Sequence, residues 1–275
     1  NGFVISGADT HRIFYINETA VLNNITFTGG NASEGGAIYT NASLTVNNSV
    51  FNKNNVAVSG NGSAIYSTAG TNLTISNSNF TDNYAQYNGA AIYYQAVSAG
   101  NVASVIDNCI FENNVANVYY GAVYFYAVDD KLTVINSHFI NNTAKGGDFR
   151  SAGALYFYGA GDLVVNNTEF VNNTGIYGGA ISFYGANLIV NYTNFTGNKA
   201  SKEGGAIYVH RYNANIVNSI FKDNTAKGNK NAIYLNNGDL SLSNNTINTD
   251  IAEIIINQGK VSSEINITIV FCSTS

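Results

Sequence analysis

One short phrase, Gly-Gly-Ala-Ile-Tyr, constrains this chain more than any other feature, because it recurs. It stands intact at 35–39 and 204–208, with variants at 62–66, 89–93, 120–124, 152–156, 178–182 and 230–234. A second phrase, Leu-x-Val-x-Asn-Ser-x-Phe-x-x-Asn-x-Ala, follows each copy. Its aromatic position is filled by Phe27, Phe51, Phe80, Phe111, Phe139, Phe170, Phe195 and Phe221, with Ile247 as the ninth member. Apolar and polar residues alternate within both phrases, and Gly and Asn bound them, which is the signature of short strands rather than helices. The period of 24 to 31 residues holds three such strands, the size of one coil of a β-solenoid. A lone coil cannot bury its inward side chains, whereas stacking like on like at the ~4.8 Å strand spacing can. The expected fold class is all-β: a single-domain right-handed parallel β-helix of about nine to ten coils. Residues 1–275 form one domain on this reading, with 1–20 as an N-terminal coil or cap, 21–252 as repeated coils and 253–275 as C-terminal strands or cap. Ile254–Ile256 and Ile265–Val270 are the expected closing strands.

The Phe/Ile column is expected inside. Two asparagine columns flank it. Three residues before the aromatic stand Asn24, Asn48, Asn77, Asn108, Asn136, Asn167, Asn218 and Asn244, with Tyr192 as the exception. Three residues after it stand Asn54, Asn83, Asn114, Asn142, Asn173, Asn198 and Asn224. Asn tolerates the left-handed backbone of tight corners, and stacked amides can bond along a column. Both columns are therefore read as architecture.

Composition excludes several functions. With 12 basic against 17 acidic residues and a net charge of -5, no basic surface exists for nucleic acid. No apolar run reaches the ~20 residues of a membrane-spanning helix. The start, Asn1 to Gly7, lacks the pattern of a signal peptide, so the chain is expected to be a mature or excised segment. Cys109 and Cys272 make neither a disulfide framework nor a zinc pattern. Cys109 stands where other coils carry Ser49, Ser78 and Ser137, and no bridge to Cys272 is expected. Neither a cofactor nor a metal is expected.

Parity directs the residue after the inner Ile outward. That file reads Tyr39, Tyr66, Tyr93, Tyr124, Tyr156, Ser182, Tyr208 and Tyr234. Two residues on, a second file reads Asn41, Thr68, Gln95, Tyr126, Tyr158, Tyr184, His210 and Asn236. Aromatic faces with polar tips hold sugar rings or partner surfaces. Tyr93, Tyr124, Tyr126, Tyr156, Tyr158, Tyr184, Tyr208 and His210 are thus the expected ligand-binding residues, on an exposed sheet beside the long 95–103 and 143–150 insertions. The competing reading is that stacked tyrosines only stabilise a β surface. Asp129, Asp130 and Asp162 form the best carboxylate cluster, but no Arg lies in register, so they read as solvated turn formers with at most weak calcium binding. No catalytic residue is expected. His11, His138 and His210 lie in different regions. Asn-x-Ser/Thr sequons at Asn17, Asn41, Asn47, Asn61, Asn141, Asn166, Asn172 and Asn191 are candidate glycan acceptors.

The paired Gly-Gly-Ala-Ile and Phe-x-x-Asn motifs resemble the repeats of chlamydial polymorphic outer-membrane proteins. The run Leu-Thr-Val-Asn-Asn-Ser-x-Phe-x-x-Asn at 44–54 and the Asn/Thr-rich, proline-free style are similar to adhesin-like surface proteins of methanogenic archaea. The resemblance covers about eight coils. It implies an extracellular, cell-surface, non-enzymatic adhesin-like domain whose partner is a glycan or protein of another cell, or further copies of itself. The chlamydial proteins end in a membrane barrel, and this chain carries none, so it is expected to be a passenger-like segment. Two alternatives stay open: a structural stalk or fibre unit, and a polysaccharide-active β-helix enzyme.

Overall fold

A computed structural model describes residues 2–56, 60–68, 70–96, 100–146, 151–227, 231–248, 253–263 and 268–270. Every regular element among them is a strand, and the strands pair in parallel from coil to coil. One coil shows the plan. Val123–Ala127 is followed by Lys131–Ile135, then His138–Ile140 with the column phenylalanine, then the short Thr143–Ala144. Each full coil therefore has four strands rather than three. The first two belong to one 18-stranded sheet, the third to an 11-stranded sheet and the fourth to a 7-stranded sheet. Glu253–Ser263 and Thr268–Val270 continue the stack at the C-terminal end. Positions 265–267 of the expected closing strand, and Cys272, lie outside the described residues.

Coil length varies, yet register does not, because the extra residues sit in the turns. Phe27 pairs directly with Phe51, Phe51 with Phe80, and so on through Phe221 to Ile247 and Ile269. The eight Phe rings stack at 4.6–5.0 Å between centroids and are fully buried. Each contributes roughly 1.5–3 kcal/mol of burial. A second inner stack, Tyr94, Phe125, Phe157 and Phe183, runs along the first strands. The Ala of each Gly-Gly-Ala phrase is buried without exception, from Ala37 to Ala232.

The two asparagine columns do different work. The one before the aromatic is left-handed throughout, with φ from 47° to 59° at its asparagines and 46° at Tyr192. The one after it is not, and this corrects the expectation. The second left-handed corner lies one residue earlier, at Gly29, Lys53, Asp82, Asn113, Asn141, Asn172, Gly197 and Asp223. The asparagines that follow it, Asn54 to Asn224, are buried and form a ladder. Asn114 is typical. Its Nδ2 donates to Asn142 Oδ1 at 2.9 Å and to the Phe80 carbonyl at 2.9 Å. Its Oδ1 accepts from the backbone N–H and Nδ2 of Asn83 at 3.1 and 2.9 Å. All four hydrogen-bonding sites of the amide and its neighbours are paired across three coils. Cys109 takes the place of a corner hydroxyl: its Sγ donates to the Asp107 carbonyl at 3.2 Å, and its backbone N–H donates to Ser137 Oγ. Burial pushes its thiol up to about 12.

Asn114→Ala should strip partners from the Asn83 amide groups and the Phe80 carbonyl inside the fold, lowering stability by roughly 2–4 kcal/mol. Asn108→Gly, at an exposed left-handed corner, should change it by less than about 1 kcal/mol, since glycine accepts that backbone. Urea unfolding midpoints of the two variants check the difference.

Candidate functional site

The first outward file is laid down by the pairing itself. Tyr39, Tyr66, Tyr93, Tyr124 and Tyr156 occupy one register position on successive coils. Their rings stack at 4.7–5.6 Å, and Tyr15 extends the stack at 4.8 Å from Tyr39. They point away from the core, as parity requires, but they are not an open face. Tyr93, Tyr156 and Tyr208 are only 8, 4 and 3% exposed, and Tyr184 and His210 only 5 and 6%. The cover comes from residues just before the first strands, Tyr120 on one coil and Tyr177, the last residue of the strand Thr174–Tyr177, on another. Tyr120 stacks on Tyr156 at 3.8 Å and on Tyr124 at 5.0 Å, and Tyr177 tilts against Tyr208 at 4.9 Å. Where Ser182 interrupts the file, the Tyr184 ring leans between Tyr156 and Tyr208, 5.6 and 6.1 Å away. The expected exposed platform is, over most of its area, a second aromatic cluster on the outer surface.

The face opens at one place. Tyr126 is half-buried, Tyr158 is 45% exposed and Tyr212 is 39% exposed. Together with Tyr184, His210 and Arg211 they line a groove of about 390 Å³ at the corner after the first strands. Tyr126 and Tyr158 stack at 5.4 Å, and Tyr184 lies 4.9 Å from the His210 ring. Gly159 lines the groove with φ 134°, and a Cβ there would collide with the Ala127 backbone of the coil before it, so the close approach of the two coils requires glycine. His210 Nδ1 accepts from Asn236 Nδ2 at 2.9 Å, which places the proton of the neutral ring on Nε2. Arg211 holds a left-handed backbone, φ 67°, beside this ring. That is an uncommon state for a long side chain, of the kind found at functional sites. Of the expected residues, Tyr126, Tyr158, Tyr184 and His210 come together here, while Tyr93, Tyr124, Tyr156 and Tyr208 belong to the covered cluster. Arg211 and Tyr212 escaped the sequence reading because period-two alternation ends at a corner. Their signal was only their place directly after the second file.

The carboxylates hold corners rather than facing solvent together. Asp130 is fully buried: its carboxylate accepts from the Val102 N–H at 2.9 Å and the Tyr94 hydroxyl at 3.2 Å. This overturns its reading as a solvated turn former. Asp129 accepts from the Gly100 and Asn101 N–H groups, and Asp162 from Asn187 Nδ2. Residues 100–102 of the 95–103 insertion are thereby pinned to the next coil, and 97–99 and 147–150 lie outside the described residues. No group of three or more His, Cys, Asp or Glu side chains among the described residues is placed to hold a metal. The histidines are separate: His11 bonds Thr10, His138 pairs with Glu169, and His210 lies in the groove. Of the sequons, Asn17, Asn41, Asn141 and Asn172 are exposed. Asn47, Asn61 and Asn191 accept bonds from neighbouring amides, and Asn166 is half-buried.

Comparison with known proteins agrees with this architecture. A family model described as right handed beta helix region matches residues 90–247, and one described as Chlamydia polymorphic membrane protein repeat matches residues 77–95. The second match spans Phe80, Asn83 and the Gly89-Ala-Ala-Ile92 phrase. No curated protein and no solved structure matches the chain. No helix among the described residues is long and apolar enough to cross a membrane.

The covered tyrosines titrate abnormally. Burial pushes the Tyr93 phenol up to about 12, and it raises Tyr66, Tyr124 and Tyr156 further, with added repulsion from Glu34 at Tyr66 and from neighbouring phenols at the other two. Above the unfolded value of 10.0 the unfolded chain binds fewer protons than the folded one, so stability falls as pH rises. The contribution is fully present below pH 10.0 and is lost as pH climbs through about 12 at Tyr93. Ultraviolet titration should show these phenols ionising only as the fold is lost, with urea midpoints dropping between pH 10 and 12. Early, independent ionisation of the whole set would contradict the covered cluster.

Proposed function

The chain belongs to the right-handed β-helix family, and from that premise we propose that it is an extracellular, cell-surface binding domain without catalytic activity. It holds a glycan or protein of another cell in the Tyr126–Tyr158–Tyr212 groove. The observation that carries this reading is the groove itself. Along the first-strand file most tyrosines are covered by their neighbours, but here the exposed Tyr158 and Tyr212 and the half-buried Tyr126 stand together around an imidazole and a guanidinium. Apolar rings with hydroxyl tips bury the C–H face of a sugar or an apolar partner residue, and the polar groups fix its orientation. The chlamydial repeat match supports a surface setting. The similarity of the 44–54 run to adhesin-like surface proteins of methanogenic archaea supports adhesion as the task. The exposed sequons Asn17, Asn41, Asn141 and Asn172 are the ones we assign to glycan attachment. An enzymatic role is disfavoured because Asp129, Asp130 and Asp162 are committed to backbone and amide donors of neighbouring coils.

Tyr126→Ala, Tyr158→Ala and Tyr212→Ala together should leave the fold intact, because none of the three rings is buried. Contact-centre aromatics cost ~2 kcal/mol or more when truncated, so attachment to target cells or glycans should fall at least roughly thirtyfold. Tyr184 is left in place because it packs in the covered cluster. Full-strength attachment by a folded triple variant would remove the groove from the mechanism and favour a stalk whose coils only provide length.

A further inference from the structure

The left-handed column before the aromatic is asparagine at every coil from Asn24 to Asn244 except one, where Tyr192 takes φ 46°. Asparagine suits that backbone because its short side chain bonds locally. Here the amides also link coils: Asn108 Nδ2 donates to Asn77 Oδ1 at 2.7 Å, Asn167 Nδ2 to Asn136 Oδ1 at 2.8 Å, and Asn244 Nδ2 to Asn218 Oδ1 at 2.6 Å. A tyrosine in this position gives up that link. It gains no burial in exchange, since Tyr192 is 60% exposed and its ring stacks on no other ring among the described residues. Neither packing nor hydrogen bonding accounts for it. A strained residue unsupported by its surroundings points to function.

What lies beside Tyr192 fits a ligand. A concavity of about 290 Å³ is bounded by its ring and by His138, Glu169 and Asn194. Those three occupy one register position on consecutive coils of the third-strand sheet. His138 Nδ1 and Glu169 Oε2 are 3.1 Å apart, and both side chains are more than two-fifths exposed, at 43 and 47%. The sheet is a different one from that bearing the Tyr126–Tyr158 groove. We propose that this concavity is a second, independent saccharide subsite. The Tyr192 ring offers its face to the C–H face of a neutral pyranose, the Glu169 carboxylate accepts from its hydroxyls, and Asn194 donates to and accepts from them. The carboxylate in the site and the net charge of -5 reject an anionic sugar.

Tyr192→Asn is the decisive variant, because it restores the residue of the other coils and relieves the left-handed strain. The probes are neutral oligosaccharides of glucose, mannose, galactose and N-acetylglucosamine, titrated while the ring resonances of Tyr192 and His138 are followed by NMR. At least one series should shift both rings in the native chain. Its affinity should fall roughly tenfold or more in Tyr192→Asn, while the unfolding midpoint of that variant stays level or rises. The Tyr126→Ala, Tyr158→Ala, Tyr212→Ala variant should bind the same sugar at the Tyr192 ring as the native chain does, which separates this subsite from the groove. The proposal is overturned if no neutral oligosaccharide moves either ring, or if Tyr192→Asn binds equally well. A lowered midpoint in Tyr192→Asn would also overturn it, by making the ring a support of the fold.

Discussion

The buried asparagine ladder is the interaction on which the rest of the structure depends. Stacked phenylalanines supply the larger burial, but a ring column tolerates sliding and tilting. The ladder does not. Each inner asparagine from Asn83 to Asn198 accepts a backbone and a side-chain donor from the coil before it and donates its own amide to the coil after it. A slip of one residue would carry these amides to the wrong face and leave several buried polar groups unpaired, at about 1–3 kcal/mol each. The chain is only 11% charged, so amide pairing rather than ion pairing aligns the coils. With register fixed in this way, the turns can lengthen freely, and they carry the features that differ from coil to coil.

Much of this was legible in the sequence. The Phe column, the alternating parity and the buried alanine of each phrase all follow from period-two arithmetic, because the pleat permits only two directions for a side chain. The role of the inner asparagines was harder. A pure column of Asn looks like a column of left-handed corners, and in the outer column it is one. At the second corner the left-handed residue is Lys53 on one coil, Asp82 on the next and Gly197 on a third. That mixture hides the corner, while the uniform column beside it advertises hydrogen bonding that only the folded stack reveals.

The site was legible in direction but not in cover. Parity states correctly that Tyr124, Tyr156 and Tyr208 leave the core, yet it says nothing about what lies over them. Their cover is Tyr120 and Tyr177, which reach across from the chain just before a first strand and which the parity of the first strands does not place. The same gap explains Asp130. Two adjacent turn acids look solvated until the neighbouring coil supplies the Val102 amide and the Tyr94 hydroxyl. On this face a groove opens where the covering side chains are missing, and its lining, from Tyr126 through Tyr158 and Tyr184 to Tyr212, comes from four coils together.

Backbone amide hydrogen exchange tests the central claim most directly. The N–H groups of Asn54, Asn83, Asn114, Asn142, Asn173 and Asn198 each donate to a buried carboxamide of the next coil at 3.0–3.1 Å. If the ladder locks the register, these six amides should be among the slowest to exchange, opening only with the cooperative unfolding of their coils. The amide of the exposed Gly100, held by the half-buried Asp129 carboxylate, should exchange far sooner. Exchange of the six ladder amides as fast as Gly100, with the Phe column still protected, would show that ring stacking alone holds the coils in register and would contradict the account.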